Sequence, residues 1–418
     1  AMENSPISFG RSQRRKVLTA SGFAHFVHDG LTDTVYVMLP LWASGLGLSH
    51  AQVGLLRSCL SVGLALFQVP AGYLAERWGG RTVLVLGTLL AGLGFLGLAT
   101  TNEFTSMAIL LFVAGIGCSV QHPLASALVS TAYHDGGRRA ALGTYNFIGD
   151  LGKVSIPAAV AAIAAVEGWQ AGSVFLGFFG VVAAGLLYLI LKHVGSGGQS
   201  INSTSENRSI NIHSSKSGWG INDRAGFTAL VAISMIDSAC RFGVLTFVPF
   251  VLIAKGAPTE TVGFALALIF GGGAFGKLVC GLVAERFGIL RTVVTTELST
   301  GIVLLGVLMA PLEIALATLP ILGVVLNGTS SVLYGTVGDF IDSERQARAF
   351  GLFYTCGIGA GVAAPFGFGV LSDMWGLQIA VSIMAAMVLL TLPFCLVLRQ
   401  SLVKTPIEHQ GLEDPSTN

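Results

Sequence analysis

Gly72-Tyr73-Leu74-Ala75-Glu76-Arg77-Trp78-Gly79-Gly80-Arg81 is a charged, glycine-punctuated turn between two long apolar runs, and it recurs. Its echo is Gly281-Leu282-Val283-Ala284-Glu285-Arg286-Phe287-Gly288, closed by Arg291, at an offset of 209 residues, half of the 418-residue chain. A helix that ends in Gly-x-x-x-Glu-Arg, turns on glycine and restarts after an arginine reads as a short loop at a membrane surface. Two copies half a chain apart mean a duplicated membrane bundle.

Composition agrees. The chain is 53% hydrophobic and 11% charged with a mean hydropathy of +0.75, too apolar for an ordinary soluble protein. A spanning helix needs roughly 20 apolar residues, and about twelve such runs alternate with short polar turns. The expected fold is therefore an all-α integral membrane protein of twelve transmembrane helices in two pseudo-symmetric six-helix halves. Its segments are an N-terminal stretch 1–16, a first bundle 17–193, a Ser/Gly/Asn-rich linker 194–222, a second bundle 223–400 and a tail 401–418. The repeat also carries Pro40 and Val53-Gly54 onto Pro249 and Val262-Gly263, and Pro157 onto Pro365. Halves related by an axis along the membrane normal enclose a cavity near the midplane, where a substrate binds.

Alternating the runs across a bilayer sorts the basic residues. Arg11, Arg14, Arg15, Lys16, Arg77, Arg81, Arg286, Arg291 and Arg399 are among those on one face, and only Lys255 falls near the other. Positive residues mark the cytoplasmic side, so both termini are expected there, in a multi-pass protein of the cell inner membrane. The run after Lys16 is too long for a signal-peptide core and lacks a small-residue cleavage site. The six cysteines all lie in spans without a CxxC pair and read as core residues. The net charge of +1 carries no signal of a nucleic-acid partner. A monomer is expected.

The Gly72–Arg81 stretch resembles the loop between the second and third helices of the major facilitator superfamily, with Glu76 and Glu285 where that family usually has Asp. The resemblance implies a gating loop of Gly72, Glu76, Arg77, Gly79 and Arg81, with Glu285 and Arg286 as its second copy, helping to close the cytoplasmic side. Ala24-His25-Phe26-Val27-His28-Asp29, then Gly115-Ile116-Gly117 with His122-Pro123, then Gly136-Gly137-Arg138, resemble the fosmidomycin-resistance branch. That resemblance implies proton-driven export, hence an antiporter. Leu124 stands where that branch has an acid, and Arg57 and Lys153 are additions to its pattern.

Ionisable residues inside spans are costly, roughly 2.5 to 3.5 kcal/mol each on insertion scales, and mark function or pairing. The first span carries His25, His28, Asp29 and Asp33; others carry Arg57, His122, Asp150, Lys153, Asp237, Arg241, Lys277 and Glu297. His25, Asp29 and Asp33 follow at four-residue intervals and share a stripe. Asp150 with Lys153, and Asp237 with Arg241, are spaced to pair within their helices. Similar depth suggests Asp33 with Arg57 and Lys277 with Glu297 as pairs between helices. Those pairs read either as mutual neutralisation or as working groups, and His122 reads either as a packed hydrogen-bonder or as a relay. The functional reading assigns Arg57, Lys153, Arg241, His122 and Asp237 to an anionic substrate, and Asp29, Asp33 and His25 to protons. The expected activity is proton-coupled export of a small organic anion or amphiphile by alternating access. The rivals are an anion exchanger or importer without proton coupling and, more remotely, a non-transporting receptor or scaffold. Sequence spacing shows no nucleophile elbow, phosphate loop or metal-ligand cluster, so no enzyme, cofactor or metal is expected.

Overall fold

Long apolar runs bounded by glycine, proline and serine become helices because, away from water, the backbone can satisfy its hydrogen bonds only within itself. The computed structural model describes residues 10–133, 137–194, 221–340 and 346–404. Its helices are α1 (Arg11–Leu46), α2 (His50–Trp78), α3 (Gly80–Leu98), α4 (Phe104–Cys118), α5 (Gln121–Ala132), α6 (Arg138–Glu167) and α7 (Trp169–Val194) in the first half. The second half has α8 (Arg224–Ala254), α9 (Thr259–Phe287), α10 (Ile289–Met309), α11 (Leu312–Thr336), α12 (Gln346–Trp375), α13 (Leu377–Met387) and α14 (Thr391–Lys404).

Among the described residues eleven stretches are long and apolar enough to cross a membrane. The 36-residue α1 has the length and adds a twelfth, more charged crossing. Most linker residues, the tail beyond Lys404 and Gly136 lie outside the described residues.

Two spans expected as single helices are broken. The fourth is interrupted between α4 and α5, just before Pro123, and the twelfth passes through the 3-10 turn Val388–Leu390 just before Pro393. Proline removes a backbone donor and crowds the carbonyl four residues back, which explains both breaks. The first helix begins at Arg11 rather than Val17, so its basic residues extend it beyond the apolar run. Sharp reversals fall on glycine where the chain needs positive φ: Gly79 (82°) and Gly288 (93°) join α2 to α3 and α9 to α10 in the two copies of the repeated turn.

Packing repeats between halves. In the first, α1 lies along α6, α2 along α4 and α3 along α7; in the second, α8 lies along α12, α9 along α11 and α10 along α13. Across the interface α2 packs on α12 and α6 on α9, each the counterpart of the other. The close approaches fall at corresponding places: a Cβ on Gly54 would run into the Pro365 carbonyl, and one on Gly263 would meet the Ala161 side chain, one turn beyond Pro157.

The largest buried cluster joins the halves at the end where α1 meets α2, through Val35–Trp42, Val53, Leu56, Phe247–Leu252 and Leu266. At the opposite end, the terminus-bearing end in the sense that α1 begins and α14 finishes there, each half has its own separate cluster. At the joined end Asp373 accepts hydrogen bonds from the backbone of His50 and Ala51, both at 2.8 Å, and Ser58 donates to the Val362 carbonyl at 2.6 Å. The halves are thus sealed at the α1–α2 end. Large exposed apolar side chains such as Leu66, Phe178, Leu189, Ile302 and Leu396 give the outside the apolar surface that lipid requires.

Candidate functional site

Between the halves lies a cavity of about 520 Å³. Its wall runs from Tyr36 and Arg57 near the sealed end, past Asp150, Lys153, Arg241 and Lys277, to Tyr334 and Phe353 towards the terminus-bearing end. Both halves contribute to it, through α1, α2 and α6 on one side and α8, α9, α11 and α12 on the other.

Arg57 is 5% exposed. It donates from Nη1 to Ser61 at 2.7 Å and from Nη2 to the Tyr36 hydroxyl at 2.9 Å, and its guanidinium stands 4.5 Å from the Tyr36 ring centroid and 5.3 Å from that of Phe242. Its Nε has no hydrogen-bond partner, and no carboxylate lies within 4.0 Å of it among the described residues. The expected pair with Asp33 is therefore not formed. Asp33 turns instead to Lys153, 3.8 Å away, because Arg57 sits on α2 among hydroxyls and rings that already hold it.

Lys153 lies among three carboxylates: Asp29 at 3.3 Å, Asp150 at 3.7 Å and Asp33 at 3.8 Å. The four-residue stripe on α1 and the three-residue spacing on α6 bring these groups together as the helical periodicity requires. α6 comes this close because Gly152 has no side chain against the Phe26 carbonyl.

Lys277 overturns another expectation. It donates to both oxygens of Asp150, at 2.8 and 3.0 Å, rather than pairing with Glu297. It reaches across the interface from α9, where the wall of the first half supplies an acid. Glu297 instead lies near Asp237 and Thr329 inside the second half. Asp237, 5% exposed, is 3.7 Å from Arg241 and stands behind it rather than on the cavity wall. Arg241 is held there by Ser330 at 3.2 Å and Ser238 at 3.3 Å.

On α1, His25 Nε2 lies 3.0 Å from Asp29 Oδ2, and His25 Nδ1 lies 3.1 Å from the Tyr145 carbonyl oxygen. A carbonyl oxygen only accepts, so Nδ1 must carry a hydrogen. Neutral imidazole would then turn a lone pair towards the carboxylate. Bonding across that 3.0 Å contact requires one more proton, on His25 Nε2 or on Asp29. His122, half exposed, is 3.8 Å from the other oxygen of Asp29 and edge-on to His25 at 5.2 Å. His28 is turned away, 2.7 Å from Thr88.

Sequence spacing showed no metal-ligand cluster, whereas the fold brings ligand atoms of His25, Asp29 and His122 within 4.8 Å of one another. The Lys153 ammonium beside the same Asp29 oxygen already supplies positive charge there and would repel a divalent cation. The donor set fits a proton better than a metal.

The repeated turns lie at the terminus-bearing end. Glu76, Arg77, Glu285 and Arg286 are exposed, Arg81 is half-buried, and Gly72 has open space beside its Cα. Sequence reasoning singled out Asp150 and Lys277 as ionisable residues within spans but gave them to pairs rather than to the cavity wall, and it missed Tyr36, which lies one helical turn beyond Asp33.

The Major Facilitator Superfamily model matches residues 21–357 and 230–415. An uncharacterized MFS-type transporter, YcaD, of Escherichia coli O45:K1 (strain S88 / ExPEC) is 26% identical over 256 residues, 60% of this chain and 62% of that protein. The aligned part of the chain thus spans less than two thirds of that relative. The MFS-type transporter MJ1560 of Methanocaldococcus jannaschii is 22% identical over 349 residues, 81% of this chain and 87% of its own. Among solved structures, a bacterial homolog of the human lysosomal transporter Spinster, in an inward-facing and occupied conformation, superposes with a TM-score of 0.78 at 16% identity, covering 95% of this chain and 99% of that one. The nucleoside transporter NupG gives 0.71 at 13% identity over 92% and 98%. At such identities these two establish the fold.

Proposed function

This chain belongs to the Major Facilitator Superfamily of membrane transporters, and from that premise we propose that it moves a small organic anion or amphiphile by alternating access, coupled to protons. The observation that supports this reading is one continuous arrangement. Arg57 presents a buried charge without a carboxylate partner to the cavity, and Lys153 in the same wall touches Asp29, whose contact with His25 needs a bound proton. A carboxylate or phosphonate would bring Arg57 its missing counter-charge, with Arg241 and Lys277 as further donors. Tyr36, Phe242, Tyr334 and Tyr354 give an apolar body something to lie against.

The excess of basic residues at the terminus-bearing end supports a cytoplasmic position for that end and for both termini, in a protein of the cell inner membrane. The cavity then faces inward, and Glu76 and Arg77 in the last turn of α2, with their second copy Glu285 and Arg286 in the last turn of α9, belong to the helix ends that would meet when that side closes. The protein acts as a monomer, since each chain has a complete cavity. Export by antiport, implied by the resemblance to the fosmidomycin-resistance branch, is one sign the coupling can take.

Purified protein in liposomes loaded with a pH-sensitive dye tests the reading against carboxylates, phosphonates and neutral lipophilic compounds. Proton movement with the anions alone is the expected result. A response to neutral compounds only, or binding of anions with no proton movement, would overturn proton-coupled anion transport and favour an uncoupled exchanger.

A further inference from the structure

We infer that the anion and the proton bind cooperatively and cross together, so that the transporter is a proton–anion symporter rather than an antiporter, with Asp150 as the residue that links the two sites. The inference rests on the reading above and adds the sign of the coupling.

The link is a chain of shared partners. Asp29 is held by His25 at 3.0 Å and by Lys153 at 3.3 Å; Lys153 is also 3.7 Å from Asp150; Asp150 holds Lys277 of the other half at 2.8 Å. Asp150 is thus divided between a lysine of its own helix and one across the cavity. A proton arriving at the His25–Asp29 pair lessens the negative charge that Asp29 offers Lys153. Lys153 is then shared more with Asp150, and the hold of Asp150 on Lys277, 2.8 Å in this structure, is weakened without being broken. The Lys277 ammonium is on the cavity wall, where an anion can compete for it. Removing the proton reverses each step.

By linkage, if the proton improves anion binding, the anion improves proton binding by the same factor. An antiporter needs the opposite, competition between its two ligands. Other titratable groups around the relay give the same sign. Asp33 on α1 and His122 on α5 each make the region more positive, or less negative, on binding a proton, whereas the Tyr145 phenol on α6 is neutral and takes up none. Arg57 on α2 and Lys277 on α9 are the cations that an anion would meet.

Detergent-solubilised full-length protein in weakly buffered solution with a pH dye gives the test, using benzoate and phenylphosphonate as probes and thermal shift as the independent readout of binding. The expected result is proton uptake on binding, and an affinity that strengthens about tenfold per pH unit of acidification where one proton is linked. Lys277→Gln should bind the anions more weakly, through Arg57 and Arg241 alone, and lose the proton uptake. Asp150→Asn, which leaves Lys277 without its carboxylate, should bind with an affinity that no longer follows pH. Binding with proton release, or with none, in the unaltered protein would overturn symport while leaving the anion site standing. No thermal shift with either anion would overturn the anion site itself, and symport with it.

Discussion

Arg57 directs its terminal nitrogens to hydroxyls and its plane to rings, so its charge is taken from water with no carboxylate in contact with it. Such a group destabilises the protein unless a ligand completes it. Arg57→Gln should therefore weaken binding of an anionic probe about 10- to 100-fold, about 1.5–3 kcal/mol for a lost hydrogen bond to a charged group, and leave binding of a neutral analogue unchanged. Equal losses for both in a thermal-shift titration would make Arg57 a packing residue. Asp29 sits at the other end of the relay. Asp29→Asn removes the ionisable partner of His25 but keeps the shape, so anion binding should persist while proton movement in the dye assay disappears. Full proton movement in that variant would move the proton site elsewhere, with His122 next in position at 3.8 Å.

At the scale of the helix, α6 does most of the positioning. It carries Asp150 and Lys153 one turn apart, and its Gly149 and Gly152 let α1 approach until His25 and the Phe26 carbonyl fill the space a side chain would take. Gly152→Val should push α1 and α6 apart and cost about 1–3 kcal/mol as overpacking, read as a lower melting temperature. It should also weaken proton coupling, because Lys153 would be carried away from Asp29. An unchanged melting temperature would argue against this close approach. Within helices the sequence was a good guide: His25 with Asp29, Asp150 with Lys153 and Asp237 with Arg241 all form at the distances their spacing implies. Between helices it was not. Depth along a span says nothing of which way a side chain is turned, so Asp33 with Arg57 and Lys277 with Glu297 failed. Asp150 and Lys277 are 127 residues apart and in opposite halves, and no local pattern joins them.

The whole molecule was legible from its repeat, because a duplicated bundle fixes the helix count, the central cavity and the paired interfaces together. The repeat leaves the facing state open: two equivalent halves can seal at either end, and only tertiary contacts decide which. Here the seal combines the cluster joining the halves, the Asp373 cap on α2 and the backbone approach at Gly54. Tyr354, 47% exposed and on the cavity wall near the terminus-bearing end, lies on the side away from that seal. If the basic residues set the orientation, a membrane-impermeant thiol reagent should label Tyr354→Cys, in a protein with its native cysteines replaced, in inside-out vesicles and not in right-side-out ones. Adding Gly54→Leu should lower that labelling, because a larger side chain against Pro365 opposes the seal and shifts the population towards the state in which the other end is open. Labelling from the outside alone would reverse the orientation; labelling unaffected by Gly54→Leu would mean that the Gly54–Pro365 contact is not what holds the halves together.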